Sequence, residues 1–276
     1  MTLESYPNQS SEEERQRLVV QARLIGPLTE RLFRRAGISA GMSVLDIGSG
    51  PGDVAILAAQ WVGPGGSVVG VDRDPAQVAF AERRAAAQGL THVRFMVDDF
   101  REIHMSRAVD AIVGRLVLMY SADPVDALRR VVRNLKSGGV IALQESIIDY
   151  DGPVFIEPLD SLAARVAEWF RAGFKHAGVH SRVGLRLYAM MRAAGLLPSA
   201  ELEMLVPIQQ GPDGALFSIL TSAVRSQIPA IVASGAATEA EIDIETLEQR
   251  LIADAPAGGV VGYFSYGTVG VWATKP

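Results

Sequence analysis

Short apolar runs alternate with stretches of helical periodicity along the first half of the chain. The runs at 44–47, 68–71, 93–97, 109–113 and 140–143 are rich in β-branched residues and have the length of buried strands. Apolar residues recur at helical spacing between these runs. The helices predicted there are 53–62, 75–88 and 124–136. Strands and helices that alternate in this way predict an α/β fold with a parallel sheet and right-handed crossovers.

The first 36 residues predict two helices. The segment Ser11–Glu14 has the form of a capping box, so a helix should begin there. Gly26-Pro27 should end it, because proline disrupts a helix interior, and a second helix should continue through Phe33. Two interpretations stay open for residues 1–36: they pack as an extension of the core, or they form a lid that excludes water from a site.

The pattern changes after the fifth strand. Residues 146–180 carry large apolar side chains at helical spacing and predict a helical insertion. The elements predicted beyond it are helices at 182–194 and about 214–233, a strand at 200–207 and a last strand within 260–274.

The turn after the first strand carries the most specific chemistry. Residues 44–53 read VLDIGSGPGD, with Gly48, Gly50 and Gly52 at alternate positions. Glycine allows the backbone to bend sharply and to approach a ligand closely. Asp46 precedes this loop and a second acid follows it, so the loop would repel a pyrophosphate and suits a ligand that bears an ammonium and a sulfonium.

An acid ends the second strand at the position expected for ribose binding. Asp72 follows Gly52 by 20 residues, which is the spacing of the ribose-binding acid in nucleotide-binding βαβ units. Because the carboxyl ends of parallel strands lie along one edge of the sheet, the glycine loop and this acid should meet in one crevice.

These residues resemble motif I of the class I S-adenosylmethionine-dependent methyltransferases, an apolar run followed by D/E-x-G-x-G-x-G. Later segments follow the same family order: the acids at 98–99, the post-strand segment 114–120 and the Leu-x-x-Gly-Gly turn at 135–139. The resemblance covers about residues 40–145. It implies a Rossmann-like, doubly wound, mostly parallel seven-stranded sheet with an antiparallel last strand, N-terminal helices and a helical cap insertion after strand 5.

The resemblance also implies a domain organisation. Residues 1–36 would form an N-terminal helical lid, and residues 37–276 the S-adenosylmethionine-binding methyltransferase domain. Within that domain, residues 146–180 would cap the substrate pocket, so the lid and the cap would select the substrate.

The cofactor roles that the resemblance implies fall on individual residues. The glycine loop would pass under the methionine part of S-adenosylmethionine, and Asp46 would bind its amino group directly or through water. Asp72 would accept both ribose hydroxyls, and Asp99 would accept from adenine, with its neighbour Asp98 as the alternative. The full predicted cofactor set is Asp46, Gly48, Ser49, Gly50, Gly52, Asp72, Arg73, Asp98, Asp99, Phe100 and Arg115.

Three residues are candidates for catalysis: Arg115, Tyr120 and Glu145. Arg115 follows the fourth strand and would meet either a substrate anion or the cofactor carboxylate. Tyr120 and Glu145 are polar candidates near the methyl group. Burial would raise the pKa of Glu145 and make it a general base, or it could be an ordinary solvated or ion-paired acid. A base is needed only for an acceptor that arrives protonated.

Two further groups of residues carry alternatives. His176 and His180 are four residues apart and supply only two metal ligands, so no metal site is predicted, although either could contact the substrate. Tyr263, Phe264 and Tyr266 either line the pocket or form an aromatic core cluster.

The composition argues against several kinds of partner and site. The formal net charge is −5 without a basic excess, which argues against nucleic acid. The chain has no cysteine, so disulfides, thiolate metal sites and cysteine-dependent arsenic methylation are disfavoured. The N-terminus lacks a secretory pattern and no run reaches about 18 uninterrupted apolar residues, so a cytoplasmic enzyme without membrane insertion is expected.

The predicted function is methyl transfer from S-adenosylmethionine to a small molecule by in-line displacement, with S-adenosylhomocysteine as product. Two alternatives keep the fold. One is an S-adenosylmethionine-binding protein with a regulatory or pericyclase-like role, and the other is an NAD-dependent oxidoreductase, which the acids around the glycine loop disfavour. A homodimer is possible, since the apolar insertion could pack against a second copy.

Overall fold

A mixed β-sheet forms the centre of the protein, with separate apolar clusters against its two faces. The computed structural model describes residues 12–148, 155–256, 258–262 and 267–276. The strands are β1 (Ser43–Ile47), β2 (Ser67–Asp72), β3 (Val93–Val97), β4 (Val109–Arg115), β5 (Leu135–Ser146), β6 (Ile156–Glu157), β7 (Leu197–Pro198), β8 (Glu203–Leu205), β9 (Ile208–Gln210), β10 (Val260–Gly262) and β11 (Thr268–Thr274). The helices are α1 (Glu12–Ala36), α2 (Asp53–Val62), α3 (Pro75–Ala87), α4 (Pro124–Val131), α5 (Leu162–His176), α6 (Val183–Ala193), α7 (Leu216–Ser234), α8 (Glu239–Ile242) and α9 (Leu247–Asp254).

The main sheet has the order β3-β2-β1-β4-β5-β11-β7. Neighbours among β1 to β5 are parallel, and β11 is antiparallel to β5. The predicted Rossmann-like doubly wound sheet with an antiparallel last strand is therefore confirmed. The strand order reverses between β1 and β4, and such a switch point opens a crevice at the carboxyl ends of the strands.

At the edge of the sheet beyond β11, two short strands take the place of the single predicted strand. Both β7 and β8 pair with β11, which gives this sheet eight strands among the described residues. The strand predicted at 200–207 is reduced to the three residues of β8. Short edge strands of this kind leave few unpaired backbone groups exposed.

The N-terminal segment forms one helix, so the predicted break at Gly26-Pro27 is wrong. Helix α1 runs through Pro27 without interruption. Its inner face is buried on both sides of the proline, with Ile25 and Leu28 each 0% exposed. Packing of this apolar face outweighs the local cost of the missing backbone donor. The residues of the predicted capping box begin with Ser11, which lies outside the described residues.

A helical layer lies beside the sheet and includes α5, which falls within the segment 146–180 predicted as an insertion; residues 149–154 of that segment lie outside the described residues. Helices α5, α7 and α9 share an apolar cluster with the first half of α1. The small strands β6, β10 and β9 form a second sheet next to it. Within the described residues, α7 alone is long and apolar enough to span a membrane by length and composition, and 61% of its apolar stretch is buried inside the protein.

Candidate active site

A cavity of about 260 Å³ lies at the carboxyl ends of β1 to β4. The loops that follow these four strands form one side of it, and α1, α5 and α7 form the other. The predicted crevice therefore exists, and helices close it from above. Of the predicted site residues, the cavity wall includes Gly48, Ser49, Gly50, Asp72, Arg73, Asp98, Asp99, Phe100, Arg115 and Tyr120. It does not include Asp46, Gly52 or Glu145.

The glycine loop packs closely against its neighbours. Gly48 has φ +60°, and a Cβ at this position would stand 2.4 Å from Cγ2 of Val117. Gly52 has φ +86°, and its Cβ would stand 2.8 Å from the Cβ of Ala81. Both positions therefore require glycine, on grounds of backbone conformation and of space. Gly52 serves the packing of the loop on α3 and β3 and does not reach the cavity.

Asp72 is held rigidly at the mouth of the glycine loop. One carboxylate oxygen accepts the N–H of Gly50 at 2.8 Å, and the other accepts the N–H of Asp74 at 3.0 Å. Burial raises the pKa of Asp72, and these two backbone donors oppose that shift. The carboxylate thus lines the cavity in a fixed orientation with further lone pairs available to a ligand.

The acids after β3 differ in their partners. Asp99 forms an ion pair with Arg101, whose Nη2 lies 2.6 Å from Oδ2. Burial would raise the pKa of Asp99, but the hydrogen bonds from Arg101 bring it below the ordinary value. Asp98 accepts the N–H of Asp99 at 2.8 Å. Arg101 also lines the cavity. Sequence reasoning missed it because an arginine after Asp99 and Phe100 matches no motif.

Asp46 lies behind the glycine loop. Its side chain is 1% exposed and does not reach the cavity wall. Burial raises the pKa of Asp46 well above its ordinary value, and the charge of Arg115 partly opposes this. The glycine loop stands between the Asp46 carboxylate and the cavity, so this carboxylate does not contact a ligand in the cavity directly.

Arg115 reaches the cavity from the end of β4 and is tied to α1. Its Nη1 donates to the hydroxyl of Thr29 at 3.2 Å. That hydroxyl in turn donates to Oε1 of Gln144 at 2.7 Å. Burial lowers the pKa of Arg115, and Asp53 and Asp46 oppose the shift. Sequence reasoning missed Thr29 and Gln144, because the link between α1 and β5 is not visible before the chain folds.

Glu145 supports the loop after β4. Its side chain is 0% exposed, and Oε1 accepts the N–H groups of Val117 at 3.0 Å and Leu118 at 2.7 Å. Burial raises the pKa of Glu145 to about 7. The same loop holds Leu116 at φ +55°, an unfavourable conformation for a leucine, so these hydrogen bonds stabilise a strained turn. Tyr120 ends this turn and lines the cavity.

Helices α1, α5 and α7 close the cavity opposite the strand ends. Leu18 and Gln21 contribute from α1, Phe170 and Phe174 from α5, and Gln227 from α7. The insertion and the N-terminal segment were predicted to cover the site, whereas α7 was predicted as a helix without a role. The aromatic residues Tyr263, Phe264 and Tyr266 lie outside the described residues.

Several polar atoms at the strand-end side of the cavity are buried without a hydrogen-bond partner. They are Oγ of Ser49, Oδ2 of Asp74 and Oε1 of Gln77. Leaving such atoms unpaired costs free energy, so they indicate contacts that a bound polar ligand would make. Ser49 lies in the glycine loop, and Asp74 and Gln77 lie at the start of α3, directly after Asp72.

The described residues contain no group of three or more His, Cys, Asp or Glu side chains arranged to hold a metal ion. His176 and His180 are not part of the cavity wall.

A family model for a methyltransferase domain matches residues 38–194. The matched segment exceeds half of the 276 residues and contains the glycine loop and every strand-end acid described above. The chain belongs to this methyltransferase family. The resemblance inferred from the glycine motif and the order of the later segments is confirmed.

Curated relatives of the chain act on different molecules, as their names state. The chain is 30% identical over 135 residues to arsenite methyltransferase of Halobacterium salinarum, a match of 48% of this chain and 34% of that protein. It is 32% identical over 133 residues to aklanonic acid methyltransferase DauC of Streptomyces sp., a match of 48% of this chain and 60% of that protein. The chain thus spans between about a third and three fifths of these relatives.

Solved structures share the fold of the chain over most of its length. Geranyl diphosphate C-methyltransferase of Streptomyces coelicolor has a TM-score of 0.55 at 19% identity, with 92% of this chain and 77% of that chain covered. The [4+2]-cyclase SpnF has a TM-score of 0.54 at 21% identity, with 91% and 80% covered. At these identities the likeness concerns the fold, and the two names show that the fold is used for more than one chemistry.

Proposed function

We propose that this protein transfers a methyl group from S-adenosylmethionine to a small-molecule acceptor. The observation that carries the proposal is that a single cavity joins the strand-end loops to the helical side. One end has the glycine loop and Asp72, which suit an adenosyl ligand, and the other end carries apolar side chains among polar ones. Two reactants held in one enclosed space can react without a second encounter.

The residues at the strand ends fit the cofactor. Asp72 would accept the ribose hydroxyls, and the unpartnered oxygens of Ser49 and Gln77 would gain partners from the ligand. Asp99 and Phe100 would face the adenine. When bound, S-adenosylmethionine supplies a methyl group on a positively charged sulfur that leaves readily.

Arg115 is assigned to the carboxylate of the methionine moiety. Its guanidinium is anchored by Thr29 on α1 and lines the cavity beside the glycine loop. Asp46 would act from behind the loop through its charge, because its side chain does not line the cavity.

On the acceptor side, Tyr120 is the candidate for contact with the reacting atom. Glu145 supports the turn that carries Tyr120, so we assign Glu145 to positioning that turn and not to proton transfer at the acceptor. The helices around the acceptor end exclude water, which an in-line displacement requires when water would compete as nucleophile.

The domain assignments remain part of this proposal. Residues 1–36 would form the lid and residues 37–276 the methyltransferase domain, with residues 146–180 as the cap. We also propose a cytoplasmic location, where the cofactor pool is expected, and a homodimer as an alternative to the monomer.

Calorimetric titration with S-adenosylmethionine, S-adenosylhomocysteine and NADH tests the cofactor. Both adenosyl ligands should bind and NADH should not. Asp72→Ala should lower the affinity for S-adenosylhomocysteine at least about tenfold, since hydrogen bonds to a charged group contribute roughly 1.5 to 3 kcal/mol each. The affinity of Asp72→Asn should lie between those of the unmodified protein and Asp72→Ala, because asparagine keeps one acceptor oxygen.

The matched control is Asp160→Ala, which removes an exposed acid outside the cavity wall. Unchanged affinity in a folded Asp72→Ala protein would remove the ribose assignment. Production of S-adenosylhomocysteine across a panel of acceptors then tests transfer itself. Tight cofactor binding with no product across the panel would favour a catalyst or regulator that uses the scaffold without methyl transfer.

A further inference from the structure

The helices on the acceptor side bring apolar and aromatic side chains to the cavity, interspersed with polar ones. We call the cavity-lining residues of α1, α5 and α7 the helical wall. It includes Leu18, Leu220 and the two phenylalanines of α5. The rings of Phe170 and Phe174 are nearly parallel, with centroids 6.0 Å apart and planes inclined by 19°. The two rings stack on each other and together form the aromatic part of this wall, where another ring can pack against an outer face or an edge.

One polar side chain of the helical wall has no partner. Gln227 on α7 is 5% exposed, lines the cavity, and its Oε1 is buried without a hydrogen bond. The other cavity-lining side chains with such atoms are Ser49, Asp74 and Gln77 at the cofactor end and Ser121 after the β4 loop. Because Gln227 comes from the opposite side of the cavity, the cofactor residues do not account for it. A buried amide of this kind indicates a ligand group that hydrogen-bonds to it.

The arginines of the helical wall are paired with acids of their own helices. Arg17 forms an ion pair with Glu14 at 2.6 Å, and Arg171 forms an ion pair with Glu168. Each arginine of the described helical wall therefore has an acidic partner. With Arg115 assigned to the cofactor carboxylate, an anionic acceptor against this wall would have to break one of these pairs, whereas a neutral acceptor would not.

We propose that the acceptor is a neutral aromatic molecule whose hydroxyl or amino group donates to Oε1 of Gln227. This assignment rests on the proposed methyl transfer and specifies its substrate class. The ring of the acceptor packs against Phe170 and Phe174, and Gln227 sets its orientation. Specificity for a polar group arises because a molecule that lacks the donor leaves the buried amide unpaired.

Three ring compounds of similar shape test the assignment: 2-naphthol, 2-methylnaphthalene and 2-naphthoate. Their binding to the full-length protein is measured by ligand-observed NMR, with and without saturating S-adenosylhomocysteine. We expect 2-naphthol to bind about three- to tenfold more tightly than 2-methylnaphthalene, as one net hydrogen bond contributes about 0.5 to 1.5 kcal/mol. The anion 2-naphthoate should bind most weakly.

Gln227→Leu should abolish the preference for 2-naphthol and leave the binding of 2-methylnaphthalene unchanged or tighter. The matched control is Thr221→Val, which removes a hydroxyl on the same helix that is also buried and unpartnered but does not line the cavity. This control should keep the preference. Gln227→Met provides a second variant of similar volume, and the probe order in the unmodified protein does not depend on any variant folding.

Tighter binding of 2-naphthoate than of 2-naphthol, no binding of 2-naphthol, or an unchanged preference in Gln227→Leu would overturn the substrate class. The proposed function fails separately, through absence of S-adenosylhomocysteine binding. Because the probes are also measured without that ligand, the two failures are distinguishable.

Discussion

Glu145 shows how a candidate base can become a supporting residue. It ends β5 at the edge where catalytic groups collect, yet its carboxylate turns toward the backbone N–H groups of Val117 and Leu118. There it accepts hydrogen bonds that keep the β4 loop in place. The loop, and not the glutamate, lines the cavity.

The burial of Glu145 predicts a dependence of stability on pH. Its pKa is about 7 in the folded protein and 4.5 in its ordinary state, so the fold binds this proton more tightly than the unfolded chain does. The stabilisation is complete below the unfolded pKa and is lost as pH rises through the folded pKa. The free energy of unfolding should therefore fall by up to roughly 3 kcal/mol between about pH 5 and pH 8.

Urea unfolding across that range measures the effect. Glu145→Gln should remove the part of the fall that belongs to Glu145, because it keeps an acceptor oxygen for the loop and carries no charge. The buried acids Asp46 and Asp72, whose pKa values are also raised, should still contribute a fall in the variant. Glu239→Gln, an exposed acid on α8, should retain it. A Glu145→Gln protein with the same slope as the unmodified protein would contradict this assignment.

At the scale of elements, α1 is both part of the core and part of the site. Its second half is buried, with Leu32 and Phe33 each 1% exposed, while Leu18 and Gln21 in its first half line the cavity. Displacing the second half would expose its apolar face, so we propose that any lid movement is confined to the first turns.

Removing the hydrogen bond between Thr29 on α1 and Arg115 should lower both the stability of the fold and the affinity for the cofactor. Thr29→Val deletes the hydroxyl that joins Arg115 to Gln144 and leaves two buried polar groups short of a partner. We expect a loss of about 1 to 3 kcal/mol in the free energy of unfolding. The affinity for S-adenosylhomocysteine should fall severalfold, since Arg115 loses its anchor.

Chemical denaturation and calorimetry measure these two quantities. Thr274→Val, an exposed position at the far end of β11, is the matched control and should change neither. If Thr29→Val lowers stability but leaves the cofactor affinity intact, the proposed role of Arg115 at the cofactor is wrong.

At the scale of the whole molecule, the cavity joins segments that are far apart in sequence. Helix α1, the strand-end loops, α5 and α7 all contribute to its wall. A ligand that binds there contacts both the sheet and the helical layer, so its binding energy stabilises the whole fold.

Thermal unfolding in the presence of ligand tests this linkage. S-adenosylhomocysteine at about 100 times its Kd should add about 2.7 kcal/mol to the free energy of unfolding. For a chain of this length, that corresponds to a rise in Tm of about 5 °C. NADH at the same concentration should cause no shift, and an equal shift with NADH would favour the oxidoreductase alternative.

Much of the cofactor end was predictable because its signals are local. The glycine spacing, the acid 20 residues later and the alternation of strands with helices depend on neighbouring residues. Parallel strands with right-handed crossovers then bring their carboxyl ends together without further information. The mostly parallel sheet with its antiparallel last strand was accordingly anticipated, and Asp72 ends β2 as the sequence predicted.

The remaining features depend on contacts between distant segments. Helix α1 continues through Pro27 because its face packs on the core, although local propensity favours a break. Asp46 and Glu145 stand at strand ends like Asp72, but only packing determined that they would be enclosed and Asp72 would line the cavity. The sequence by itself therefore determined the fold class and the nucleotide-binding loop. Tertiary structure alone decided which polar groups reach the cavity and placed Gln227 opposite the cofactor end, because burial is a property of the assembled elements.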